Sequence, residues 1–184
     1  MKKGYTLIEI LVAISIFLVV IAAPTGFFVT SIKGQKKALA SQELLDNVSF
    51  TLEYMSRAIR MAKKDKDYTC ISQIGQKLNY QETHSERGIK FLNYQGDCQE
   101  IFLDEIDGRL KESIEGSVPV PLTSDDLYIT SFQIASDESW GQIDNLQPRI
   151  TLSFEIKREN PRPEMEPKIK IQTTISQRNL DFIY

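Results

Sequence analysis

One carboxylate stands out by its surroundings. Glu9 is the single formal charge in an apolar run from Leu7 to Ile32, and it lies four residues after Tyr5 and shortly after Gly4. A charge at the mouth of a membrane-length helix is unfavourable unless something compensates it. Other chemistry-bearing residues give weaker signals. The single histidine, His84, lies in the polar stretch Gln81-Glu82-Thr83-His84-Ser85-Glu86 with no cysteine nearby, and reads as an exposed loop residue. No nucleophile elbow, phosphate-binding glycine loop, dinucleotide fingerprint or HExxH pair occurs. Asp104-Glu105-Ile106-Asp107-Gly108 places carboxylates before a glycine, but it lacks the spacing and the terminal bidentate glutamate of a calcium loop. Acidic turn chemistry accounts for it. The expectation is therefore a chain that is not an enzyme and holds no metal or cofactor.

Bulk composition narrows the partners. The chain has 184 residues, 41% of them apolar, and a formal net charge of -3. Mild acidity and scattered aromatics give neither a basic surface nor a stacking platform for nucleic acid, so no nucleic-acid partner is expected. Cys70 and Cys98 form no CxxC. Beyond a membrane segment they would lie outside the cytoplasm, where a disulfide persists; two unpaired buried thiols are the alternative. Such a bond would close a loop of about 28 residues, for which chain entropy gives roughly 3 kcal/mol.

The elements that must position these residues follow from periodicity. Residues 1–4 form a short basic leader, held on the cytoplasmic side by Lys2 and Lys3. Residues 5–32 form an apolar helix roughly 40 Å long, more than the roughly 30 Å of hydrocarbon. A cleaved secretory signal is the rival reading; Glu9 and the continuing run Gly26-Phe27-Phe28-Val29 count against it. Pro24 and Gly26 interrupt the run and predict a helix that kinks or locally melts when packed among others, with Ala13, Ser15, Ala22 and Ala23 permitting close approach. Residues 33–66 continue as an amphipathic helix whose apolar stripe reads Leu45, Val48, Leu52, Met55, Ile59 and Ala62. It should stop at the solvated charge run Lys63-Lys64-Asp65-Lys66-Asp67.

From residue 67 to 184 the period changes to two. Tyr68–Ile71, Ile89–Tyr94, Glu100–Leu103, Leu110–Ile114 and Asp126–Ala135 read as strands, the last around a bulge. Ile150, Leu152, Phe154 and Ile156 alternate, as do Ile169, Ile171, Thr173 and Ile175, which predicts a long antiparallel hairpin across the proline-rich loop 160–167. Residues 76–88 and 136–147 read as polar surface loops. The fold class is α+β: a long N-terminal helix, its amphipathic half covering an antiparallel β-sheet domain.

The first residues carry a resemblance. Gly4-Tyr5-Thr6-Leu7-Ile8-Glu9-Ile10-Leu11-Val12-Ala13 resembles the prepilin-type leader of type IV pilins and type II secretion pseudopilins. It covers about the first thirty residues; the remainder agrees in architecture. The resemblance implies cleavage by a prepilin peptidase between Gly4 and Tyr5, and N-methylation of Tyr5, an aromatic in place of the usual phenylalanine. It implies that Glu9 meets the N-terminal amine of a neighbouring subunit as helices bundle into a filament. Other pilin or pseudopilin subunits, the membrane and an assembly platform protein are the implied partners. The chain looks most like a minor pilin or a J-type pseudopilin, a single-pass membrane protein with its C-terminal domain outside the cytoplasm. The competing reading is a filament-tip binding subunit, an adhesin or a DNA-uptake pseudopilin.

Overall fold

A computed structural model describes residues 4–71, 78–142, 146–158 and 166–178. One helix, α1 (Leu7–Arg60), opens the chain. The Thr6 carbonyl accepts the first helical bonds, from the amides of Glu9 at 3.1 Å and Ile10 at 3.3 Å. Glu9 in the first turn and Arg57 and Arg60 in the last complement the helix dipole. The helix continues through Pro24 and Gly26 without a break. Thr25 donates its hydroxyl to the carbonyls of Ile21 and Ala22, on the turn before the proline, and Thr30 donates to that of Gly26.

The chain divides into two compact units, Met1–Ala40 and Ser41–Tyr184. The first contains the apolar part of α1, whose large side chains from Leu7 to Ile21 and from Phe27 to Val29 are exposed. By length and hydropathy it can cross a membrane.

In the second unit, α1 buries Leu44, Val48, Thr51, Met55 and Ile59, spaced by three and four. The expected stripe is corrected at two places. Leu45 is 48% exposed and Leu44 is the buried leucine, because the stripe set by Val48 passes through 44 at a spacing of four. Leu52 is only partly buried. The helix also ends at Arg60, before the charge run, and that run is not wholly solvated. Asp65 is 3% exposed, and its carboxylate accepts from the amides of Thr69, Cys70 and Ile71 at 3.0, 2.9 and 2.7 Å. Those amides are thereby withdrawn from any ladder, so Tyr68–Ile71 is a loop and not the expected strand.

Among the described residues eight strands follow, in two sheets where one was expected. The first is an antiparallel meander of β1 (Tyr80–Thr83), β2 (Gly88–Leu92), β3 (Cys98–Asp104), β4 (Arg109–Ile114) and β5 (Val120–Pro121). The second is β6 (Leu127–Ala135), β7 (Arg149–Arg158) and β8 (Lys168–Ser176). The β7–β8 hairpin has the alternation read from sequence in register, with Ile150 opposite Ile175 and Phe154 opposite Ile171. The β6–β7 pairing shifts between Ile129 and Ser131, which is the bulge. Most of the proline-rich loop lies outside the described residues. Backbone bonds join the sheets: the Ile129 amide donates to the Gly108 carbonyl at 2.8 Å and the Ile134 amide to that of Glu86 at 3.0 Å. Gly108 has φ +66 and a Cβ there would enter the Tyr128 ring, so this junction requires glycine.

Two supposed surface loops contribute core. β1 lies within 76–88, and its Tyr80 is fully buried against Phe91 and Trp140. Trp140, on a short 3₁₀ turn (Glu138–Trp140), donates its indole N–H to the Arg149 carbonyl at 2.7 Å. They join Ile101, Leu110, Phe132 and Leu152 in one cluster with the buried face of α1.

Candidate functional site: the N-terminal face and the groove on the sheet domain

Gly4, Tyr5 and Thr6 precede the helix in irregular backbone. A Cβ at Gly4 would meet nothing within 4 Å, so no packing demands a glycine there. Tyr5 is 80% exposed. Glu9 lies one turn further, and with Tyr5, Ile10, Ala13, Ile14 and Phe17 it lines a single shallow concave strip on α1. Ala13 supplies the notch between the larger side chains. Among the described residues, no cation pairs with the Glu9 carboxylate. The strip is therefore apolar with one acid, whose charge favours the helix N-terminus and has no cationic side chain beside it among the described residues. Along the same helix, Ser15 donates to the Leu11 carbonyl at 2.8 Å, as Thr25 and Thr30 do on their own turns. These hydroxyls need no partner from outside, so they do not oppose burial in lipid.

The remaining candidates fall in the sheet domain. Cys70 and Cys98 are joined, with Cα atoms 5.1 Å apart, tying the segment after α1 to the first residue of β3. His84 is an exposed turn residue, as its polar surroundings suggest; its ring stacks on Phe102 at 4.2 Å and its Nε2 lies 3.3 Å from Glu100. His84, Ser85 and Glu86 all have positive φ, a tight reversal between β1 and β2. The Asp104–Gly108 turn holds no cation cage. Lys111 Nζ pairs with both Asp104 and Asp107 at 2.6 Å, and the Asp104 carboxylate also accepts the Ile106 amide at 2.9 Å. The bond from Lys111, then that from Ile106, holds the Asp104 carboxyl below its ordinary range. Among the described residues no cluster of histidine, cysteine and carboxylate side chains is suited to a metal ion.

Sequence reasoning missed a second surface feature. Phe50, Tyr54 and Arg57 form a ridge on α1 off its buried stripe and, with Met61 just past the helix, border a groove completed by Tyr94, Gln99 and Ile114. Tyr54 donates its hydroxyl to the Glu112 carboxylate at 2.7 Å, and Gln99 donates to the same carboxylate. Burial first, and then this bond to Glu112, pushes the Tyr54 phenol up to about 12. The only sequence signal was Phe50 and Tyr54 at a spacing of four, off the core stripe.

Comparison with known proteins agrees with the N-terminal geometry. Residues 1–23 match the prokaryotic N-terminal methylation motif. The chain is 34% identical over 62 residues to pilin-like protein PilA3 of Thermus thermophilus, a match covering 34% of this chain and 27% of that protein. It thus spans about a quarter of the length of this relative. No solved structure matches the chain. Motif match and pilin-like similarity cover part of the chain only.

Proposed function

We propose that this type IV pilin-like chain is a structural subunit of a membrane-rooted filament, a minor pilin or pseudopilin, processed at Gly4–Tyr5 by a prepilin peptidase and methylated on Tyr5. The observation that carries the proposal is the Tyr5–Glu9 strip: an exposed apolar helical surface with one acid that has no partner among the described residues. Cleavage before Tyr5 would create an ammonium at the positive end of the helix dipole, where it is doubly unfavourable in lipid. Glu9 lies about 6 Å along the helix from it, at 1.5 Å per residue. Two copies staggered along their axes by that amount would pair the ammonium of one with the Glu9 of the other. Pro24 and Gly26 would be the place at which the helix bends or unwinds as neighbours pack. Until assembly, the helix would hold the chain in the membrane, with the sheet domain and its disulfide outside the cytoplasm and an assembly platform protein as a further partner.

Mass spectrometry of the mature N-terminus should find a start at Tyr5 carrying one added methyl group. A start at Met1 or near Ala23 defeats the reading. The Glu9→Val variant should insert in the membrane normally and enter filaments at least tenfold less than the parent. Undiminished incorporation would show that the charge is not used in packing.

A further inference from the structure

Just past its apolar run, α1 carries Lys33, Lys36 and Lys37, all exposed. Spacings of three and four put their side chains on one face of the helix, with Cβ atoms roughly 5–6 Å apart. Like charges so placed repel one another and weaken the helix unless an acid intervenes. None does. No aspartate or glutamate stands between Glu9 and Glu43, and Glu43 is taken by Arg158. Further along the same helix Arg57 has Glu53 one turn away, so α1 does supply an acid to other cations. The lysine face is purely positive, and its counter-ion must come from outside the chain.

The apolar run sets the level at which that face lies. By length and hydropathy this part of α1 can cross a membrane, and its large side chains are exposed. From Glu9 to Lys33 the helix extends about 36 Å at 1.5 Å per residue, against roughly 30 Å of hydrocarbon. With Glu9 at one boundary, Lys33 stands about 6 Å beyond the other, at the level of the headgroup phosphates. Lys36 and Lys37 start about 5 and 6 Å further out. Their long apolar stems can lie back along the helix and bring the ammonium groups to the same level.

We propose that Lys33, Lys36 and Lys37 form a docking face for anionic phospholipid headgroups, on the side of the membrane opposite Glu9. A zwitterionic lipid carries its own cation beside the phosphate. Three unpaired lysines therefore favour headgroups that are negative overall. The contact differs from anchoring by apolar burial, because it fixes the depth of the helix and opposes its sliding along the membrane normal. Drawing the helix out of the bilayer must first break it. The inference rests on the membrane-rooted reading of α1 and takes nothing from the Tyr5–Glu9 pairing.

The test uses the full chain in nanodiscs that mix phosphatidylglycerol with phosphatidylcholine. A spin-labelled lipid of each kind reports which headgroup the helix selects, from the fraction immobilised at the protein. The parent should select phosphatidylglycerol about fivefold, and the triple variant Lys33→Gln, Lys36→Gln, Lys37→Gln should lose most of that preference. Arginine at the same three positions should keep it. All three side chains are exposed, so neither variant disturbs the core. Equal selection of both lipids by the parent overturns the proposal. So does a preference that survives the glutamine variant, or one lost instead in Lys2→Gln, Lys3→Gln. Loss of selectivity on adding inorganic phosphate at constant ionic strength assigns the face to soluble anions and overturns it too. Carbodiimide coupling of these lysines to a second copy, with no lipid selected, gives them to a protein contact instead. A chain that carbonate extracts from vesicles removes the membrane-rooted reading; an inserted chain without selectivity removes this contact alone.

Discussion

At Asp65 a carboxylate takes the place of a strand ladder. Burial pushes its carboxyl upward, but the amides of Ile71, Cys70 and Thr69 outweigh that and hold it below the ordinary carboxylate range. Its folded pKa thus lies below its unfolded one, so its stabilising contribution is complete above the unfolded value of about 4 and is lost as pH falls through the folded value. Asp65→Ala leaves three amides short of an acceptor and should destabilise the chain by roughly 3 kcal/mol. Denaturant unfolding of the full chain in detergent micelles measures this at pH 7. The difference between parent and variant should shrink on acidification below about pH 4. A pH-independent difference would assign the loss to packing. Nothing in the local sequence marked Asp65 out from the neighbouring Lys63, Lys64, Lys66 and Asp67. Its role depends on the chain turning back over it, which a charge run does not encode.

For α1 the question is phase. Leu44 is fully buried and Leu45 is 48% exposed. Leu44→Ala should therefore cost roughly 2–5 kcal/mol and Leu45→Ala less than about 0.5 kcal/mol, read from paired denaturation curves. Equal costs would place the helix a different way round. Two adjacent leucines satisfy one periodic template almost equally well, which is why sequence alone chose the wrong one. Strands with clear alternation, β7, β8 and β6 on either side of its bulge, were legible, since period two leaves one buried face. β1 was not: Asn79, Gln81 and Glu82 flank Tyr80, and the apolar signal is a single residue. The division into two sheets was also hidden, because β6 forms its ladder with β7 and meets the first sheet through single bonds to the Gly108 and Glu86 carbonyls, a choice that periodicity does not encode. At the candidate site, Tyr5, Glu9 and Ala13 could be placed together from sequence because they lie within a few turns of one helix. The groove assembles from α1, the β2–β3 turn and β4, and such a juxtaposition appears only in three dimensions.

For the whole molecule, the lysines at the two ends of the apolar helix deserve to be counted together. Lys33, Lys36 and Lys37 are exposed just past its apolar run, and Lys2 and Lys3 precede it. Before the proposed cleavage Lys2 and Lys3 offset most of the charge of the three lysines beyond the run. Afterwards one amine faces three lysines. By the positive-inside bias the processed helix would rather sit the other way up. On the proposed topology its orientation would be a memory of how it entered, locked by a folded and cross-linked domain that could not be drawn back across the bilayer. Replacing Lys2 and Lys3 by glutamine should expose that dependence as a several-fold rise in chains whose C-terminal tag resists protease in right-side-out vesicles. An unchanged protection pattern would mean that the leader does not set the direction. On this account the peptidase does more than release a helix for assembly: it erases the instruction that placed the helix, and makes insertion a one-way event.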